Sequence, residues 1–152
     1  MLSIVCIGDP APQGSKRGFV RNGKVVVVES AKNHKDWRAA VTQAAIEQLP
    51  AGHEPLKGAI DIELVFKMRR PKTVTRRHPY VAPDLDKLCR SVFDSLTNAA
   101  VWVDDCHVCN LTARKEYTDF SPGVWIYVYQ YGEERLPHEF EKAIEQAKAS
   151  IE

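Results

Sequence analysis

The residues from Pro83 to Asp105 read P-D-L-D-K-L-C-R-S-V-F-D-S-L-T-N-A-A-V-W-V-D-D. Leu85, Leu88, Val92 and Leu96 fall at i, i+3, i+7 and i+11, the spacing of one buried stripe on a helix. The pattern predicts a helix over 84–98, with Asp84 and Asp86 at its mouth and Asp104 and Asp105 just beyond its far end. Asp86, Arg90 and Asp94 share a second face at i, i+4 and i+8. Asp84 therefore reads as an N-cap and Asp86 as a first-turn acid, placed where free N–H groups and the helix dipole favour negative charge. That reading leaves the second pair of aspartates without a reason.

Immediately upstream, residues 69–83 contain Pro71, Pro79 and Pro83 among basic side chains and read as a long loop. Before it, residues 59–68 alternate, with Ile60, Ile62, Leu64 and Phe66 on one face, as in a half-buried strand. Downstream, 108–117 and 124–131 read as two further strands. At the N-terminus, 2–7 is a short apolar strand and 8–18 a Gly- and Pro-containing loop. Asn22-Gly23 then supplies the positive φ angles of a hairpin turn between 19–21 and 24–28. Helical spacing returns over 33–49, where Trp37 and Val41 lie on neighbouring turns and Pro50 and Gly52 close the segment. A last helix is expected over 137–151. The expected fold is α+β, a two-layer domain in which a mixed sheet of about five strands packs with three helices.

A helix of this length spans about 22 Å. The two aspartate pairs meet within one chain only if the strand that begins near Asp105 runs back beside the helix to its mouth; otherwise a partner subunit supplies the missing group. Carboxylates gathered from both ends would repel one another unless a cation sat between them. Oxygen donors of this kind suit Mg²⁺ or Mn²⁺, which keep bound water and accept phosphate oxygens as further ligands. Arg90 has two readings: a contact to such a phosphate, or an ion pair with Asp86 or Asp94 one turn away.

Charge distribution points toward the same kind of partner. The chain has 152 residues and a net charge of only +1, yet its bases are grouped. Lys16, Arg17, Arg21 and Lys24 occur without an acid between residues 10 and 28, and Lys67, Arg69, Arg70, Lys72, Arg76 and Arg77 form a second such block. A polyanion can bind a basic surface of this kind although the whole chain is nearly neutral. No apolar run is long enough to span a membrane. The first residues lack a secretory leader, and four scattered cysteines suit a reducing cytosol, so a cytoplasmic location, nucleoid-associated during action, is expected.

Several details now coincide. Asp84-Leu85-Asp86, Leu88, Phe93-Asp94, Leu96-Thr97 and Trp102-Val103-Asp104-Asp105 stand in the order and spacing of the RusA family of Holliday junction resolvases, which the chain resembles over residues 1–131. Pro12 to Arg17 resembles the glycine-and-lysine loop of phage members, and residues 132–152 look like a helical extension of the family domain. The resemblance implies a homodimeric endodeoxyribonuclease that cuts four-way DNA junctions symmetrically with Mg²⁺, or Mn²⁺. It implies that Asp84, Asp86 and Asp105 hold the metal, with Asp104 as an acidic neighbour. Lys16, Arg17, Lys67, Arg69, Arg70, Lys72, Arg76, Arg77 and Lys87 are the expected DNA contacts. The family uses a helix lysine for catalysis where this chain has Arg90, which keeps the charge but cannot release a proton. A nuclease of broader branched-DNA specificity and a junction-binding protein with impaired cleavage are the alternatives.

Two other motifs are set aside. Cys106 and Cys109 flank His107 without a second ligand pair for zinc, and are expected to be buried, inert thiols. Gly14-Ser15-Lys16 lacks the spacing of a phosphate-binding P-loop, so no nucleotide cofactor is expected.

Overall fold

The computed structural model describes residues 1–13, 16–29 and 34–134. Strand β1 (Leu2–Ile7) is followed by the hairpin of β2 (Lys16–Arg21) and β3 (Lys24–Glu29), then by helix α1 (His34–Gln48). The chain continues through β4 (Ile60–Arg69), α2 (Leu85–Asn98), a single 3₁₀ turn (Asp105–His107), β5 (Val108–Thr118) and β6 (Gly123–Gln130). Asn22 and Gly23, both at positive φ, make the predicted turn between β2 and β3.

The main sheet has the order β1-β6-β4-β5. β6 pairs antiparallel with both β1 and β4, whereas β4 and β5 run parallel. Parallel neighbours need a crossover, and α2 provides it. Both helices pack on one side of the sheet, where Ile60, Ile62, Leu64 and Phe66 of β4 meet Leu88, Val92 and Leu96 of α2 and Trp37, Val41 and Ala45 of α1. Alternation along β4 and β6 puts Val65, Trp125, Tyr127 and Tyr129 in a second buried cluster on the opposite face. The helices meet over Ser91 and Ser95, both fully buried. Ser95 Oγ donates to the Ser91 carbonyl at 2.9 Å, whereas the buried Ser91 hydroxyl has no hydrogen-bond partner.

The expected arrangement needs three corrections. Six strands occur among the described residues, and they divide into a four-stranded mixed sheet and a separate two-stranded one, because β2 and β3 pair there only with each other. Two α-helices are present among those residues rather than three; the helix expected over 137–151 lies outside them. The fold is that of one chain, and the homodimer attached to the expectation is not a feature of it. Cys106 and Cys109 are also exposed rather than buried, while Cys6 and Cys89 are the buried thiols. Residues 106 and 109 escape the core because the chain reaches its sheet edge only there. No helix among the described residues is long and apolar enough to cross a membrane.

Pairing of β1 with β6 demands glycine at 123. A Cβ there would lie 2.3 Å from the Cys6 carbonyl oxygen and 3.2 Å from the Ile7 Cα, both backbone atoms. We expect Gly123→Ala to destabilise the fold by about 1–3 kcal/mol through overpacking. Urea denaturation checks this, and an unchanged midpoint would show that the strands separate freely.

Candidate active site

Asp84 occupies the N-cap position of α2, with extended backbone angles (φ −69°, ψ 137°), and its carbonyl accepts the Leu88 N–H at 3.1 Å. Its carboxylate makes no capping hydrogen bond. The side chain instead meets Lys87 Nζ at 3.1 Å. Asp86, in the first turn, is exposed and has no ion pair among the described residues. A pair of carboxylates thus stands at the helix mouth, and that of Asp84 caps no N–H of the helix.

The far pair is held by a different set of contacts. After Asn98 the chain closes α2 with the Ala99 and Val101 N–H groups donating back to Ser95 and Leu96, and Ala100 takes a left-handed φ of 57°. Trp102 then plugs into the core, donating its indole N–H to Thr97 Oγ1 at 2.8 Å and meeting Phe93 edge to face at 5.5 Å. Leu56 brackets this segment through backbone bonds to Val101 and Val103. Phe93, Thr97 and Trp102 therefore fix where Asp104 and Asp105 emerge.

Asp104 caps the 3₁₀ turn, accepting the Cys106 N–H at 2.8 Å. That hydrogen bond holds its carboxyl below the ordinary aspartate range. Asp105 moves the other way: partial withdrawal from water, then the charge of Asp104, their shared hydrogen bond and the charge of Asp94 all favour its protonated form.

The parallel crossover sets the distance between the two pairs. The charge of Asp94 reaches Asp105. Asp94 stands eight residues after Asp86 in α2, about 12 Å along the axis. Oxygens sharing one Mg²⁺ lie within about 4 Å of each other, given bonds near 2 Å. Among the described residues, no three His, Cys, Asp or Glu side chains are gathered to hold a metal ion. Carboxylate oxygens are the right donors for a hard cation, but a single chain presents them as two separate sets. The strand after Asp105 does run back toward the helix mouth, as convergence requires. By then, however, it carries Lys115 there: Lys115 Nζ donates to the carbonyls of Val81 and Pro83 at 2.6 and 2.7 Å.

Arg90 is exposed and makes no ion pair with Asp86 or Asp94, so of its two readings the intrahelical one is not realised. The basic loop divides into engaged and open cations. Arg69 pairs with Asp9 at 3.1 Å. Arg70 pairs with Asp119 at 3.2 Å and lies over the Tyr117 ring at 4.6 Å. Arg76 sits between the rings of Tyr80 and Tyr117, at 5.5 and 5.6 Å. Lys67, on the opposite face of the sheet, is bonded to Glu116 and faces Trp125. Lys72 and Arg77 are exposed without an ion pair among the described residues. Lys16 and Arg17 belong to β2, in the separate hairpin.

Sequence reading passed over Lys115, Tyr117 and Asp9, which line a cleft of about 240 Å³ with Arg69, Arg76 and Pro83. One signal was available: Lys115 interrupts the apolar series Leu111, Ala113 on the helix side of β5. Sequence singles out the loop before β2, but not its neighbour: the Gln13 N–H donates to the Lys87 carbonyl at 3.1 Å on the first turns of α2.

An α+β domain that exposes aspartates at both ends of one helix, with a cation-rich loop at one of them, has the features of a protein that handles phosphodiesters. The chain belongs to the endodeoxyribonuclease RusA family, whose model matches residues 8–129. That membership establishes a nuclease-type function in general terms. The chain is also similar to the uncharacterized protein YqaN of Bacillus subtilis (strain 168), with 28% identity over 130 residues, 78% of this chain and 89% of that protein.

The raised pKa of Asp105 has a consequence for stability. The folded chain holds that proton more tightly than the unfolded chain, so stability falls as pH rises through the unfolded value and then the folded one. The loss is complete above the folded value and absent below the unfolded one. We expect Asp105→Asn to melt higher than wild type near neutral pH, with the two converging under acid conditions below the aspartate range. Thermal melts at both pH values check this; a variant that melts lower at neutral pH contradicts it.

Proposed function

We propose that this chain is a divalent-metal-dependent endodeoxyribonuclease that cuts branched DNA, with four-way junctions among its substrates. The observation that carries the reading is the carboxylate of Asp84, which caps no N–H and meets only Lys87 at the surface, beside exposed Asp86 at the mouth of α2. An N-cap aspartate normally stabilises its helix by accepting an N–H. One that forgoes this bond, next to a second exposed acid, is free to bind something else.

In this proposal Asp84 and Asp86 supply one part of the Mg²⁺ or Mn²⁺ ligand set and Asp105 the other, with Asp104 beside it. Because the two parts stand apart in one chain, a second copy supplies the complement. The ion, when bound, polarises the phosphodiester and activates water. The remaining roles belong to the chain itself. Arg90, exposed on the same helix face as Asp86, contacts a phosphate near the cut and steadies the charge that develops there. Lys87 balances Asp84 until DNA arrives. Lys72 and Arg77 are the most accessible phosphate contacts of the basic loop, with Lys16 and Arg17 as candidates on the hairpin. Such contacts position a duplex without reading its bases, so recognition rests on branched shape and on how readily the DNA bends.

The second reading is a junction-binding protein with impaired cleavage, favoured by arginine at position 90. Arginine cannot give up a proton at working pH. Under the main proposal Arg90 needs only its charge, so Arg90→Lys retains cleavage while Arg90→Ala loses about 100- to 1000-fold, the range for removing one transition-state donor. An Ala variant as fast as wild type would assign Arg90 to neither role.

Synthetic four-way junctions, flaps and linear duplexes, each incubated with Mg²⁺, test the proposal. We expect cuts in the branched substrates and little in linear duplex. Asp84→Asn and Asp86→Asn should each abolish cutting yet keep junction binding, because an ion ligand is lost while repulsion of phosphates falls. If both variants cut at the wild-type rate, the chemistry lies elsewhere; junction binding without cutting by the wild type would select the second reading.

A further inference from the structure

Residues facing one another across β4 and β5 share a side of the sheet. Leu111, Ala113 and Lys115 pair with Ile62, Leu64 and Phe66, whose side chains form the helix-side core. Lys115 is therefore a cation at the margin of an apolar layer. Partial burial of an ammonium is costly without partners. Among the described residues no carboxylate pairs with it; what holds it is the pair of carbonyls of Val81 and Pro83, at 2.6 and 2.7 Å. Charge-assisted bonds of this length are the strong kind. Both acceptors lie in the short segment that enters α2, and Pro83 directly precedes Asp84.

The Asp84 carboxylate makes no capping bond to the N–H groups of the helix it begins. Its carboxylate direction therefore depends on the backbone that delivers it and on the exposed pair with Lys87. The backbone is anchored by Lys115 to β5, a strand fixed along its length to β4. We propose that Lys115 is a positioning residue for the Asp84–Asp86 carboxylates, clamping the entry to α2 so that the pair is set before the metal arrives. This rests on the metal-dependent reading given above. Lys115 itself does not touch the reacting phosphate.

The test uses the purified full-length chain on a synthetic four-way junction. Three readouts are taken: the cleavage rate at saturating protein across a Mg²⁺ titration, junction affinity in EDTA, and thermal melting. Loss of an outer contact to a metal ligand typically lowers metal affinity or activity by about 10- to 100-fold. We expect Lys115→Met to fall in that range in cleavage rate at limiting Mg²⁺ and to need more Mg²⁺ for half-saturation, with junction affinity in EDTA within about twofold of wild type. Lys115→Arg, which keeps charge and donors, should recover most of the loss.

An unchanged Mg²⁺ titration in a folded Lys115→Met variant would overturn the proposal. So would a loss confined to junction affinity, which would make Lys115 a phosphate contact instead. Should Lys115→Met fail to fold, Lys115→Gln, which keeps a donor without the charge, carries the same expectations and is overturned by the same results. Asp84→Asn is run alongside: if that variant cuts normally, the metal reading fails on its own account, whereas a dead Asp84→Asn with an unaffected Lys115→Met sinks only the present inference.

Discussion

Two parallel neighbours in a sheet cannot be joined by a tight turn; the chain must travel back along the sheet before the second strand begins. In this protein α2 makes that journey between β4 and β5. The helix mouth consequently lies at the end of the sheet where β4 finishes, and the residues after the helix lie at the end where β5 starts. Asp84 and Asp86 belong to the first end, Asp104 and Asp105 to the second. Hydrophobic burial of Leu88, Val92 and Leu96 locks the helix in that direction, so the separation of the acids follows from the core and not from local chemistry.

Each end is then refined by its own contacts. The far acids are held by the Trp102 plug and its partners Phe93 and Thr97, which stop the helix and aim the next residues outward. Partial withdrawal from water there, then the neighbouring charges of Asp104 and Asp94, leave Asp105 inclined to keep its proton. The near acids sit beside a loop whose arginines are mostly engaged: Arg70 and Arg76 stack against Tyr117, and Arg69 is tied to Asp9. These engaged cations build the loop. The open ones, Lys72, Arg77 and Arg90, stay available to a polyanion.

Much of this was legible in the residues because it rests on periodicity. The stripe from Leu85 to Leu96 located α2, the alternation from Ile60 to Phe66 located β4, and Asn22-Gly23 located the hairpin turn. The RusA resemblance, resting on spaced aspartates and on Trp102, matched the family that the chain belongs to. What escaped was relational. No local pattern distinguishes a parallel β4–β5 pair from an antiparallel one, and that choice decides whether the aspartates meet. Nor does sequence reveal that β2 and β3 leave the main sheet, since their alternation suits either sheet. Exposure of Cys106 and Cys109 depends on where the chain joins the sheet edge, a tertiary fact. Lys115 showed only as a break in an apolar series, and its carbonyl partners lie more than thirty residues away.

In the proposed mechanism, acids from opposite ends of α2 act on one phosphodiester although one chain keeps them apart. Mixing two inactive variants, Asp84→Asn and Asp105→Asn, measures this most directly. If the ligand set is completed between copies, a mixed pair contains one centre with both native aspartates, and the mixture regains strand cutting that neither variant has alone. A mixture that re-equilibrates subunits yet stays as inactive as its parts, beside a wild type that cuts, would contradict the account.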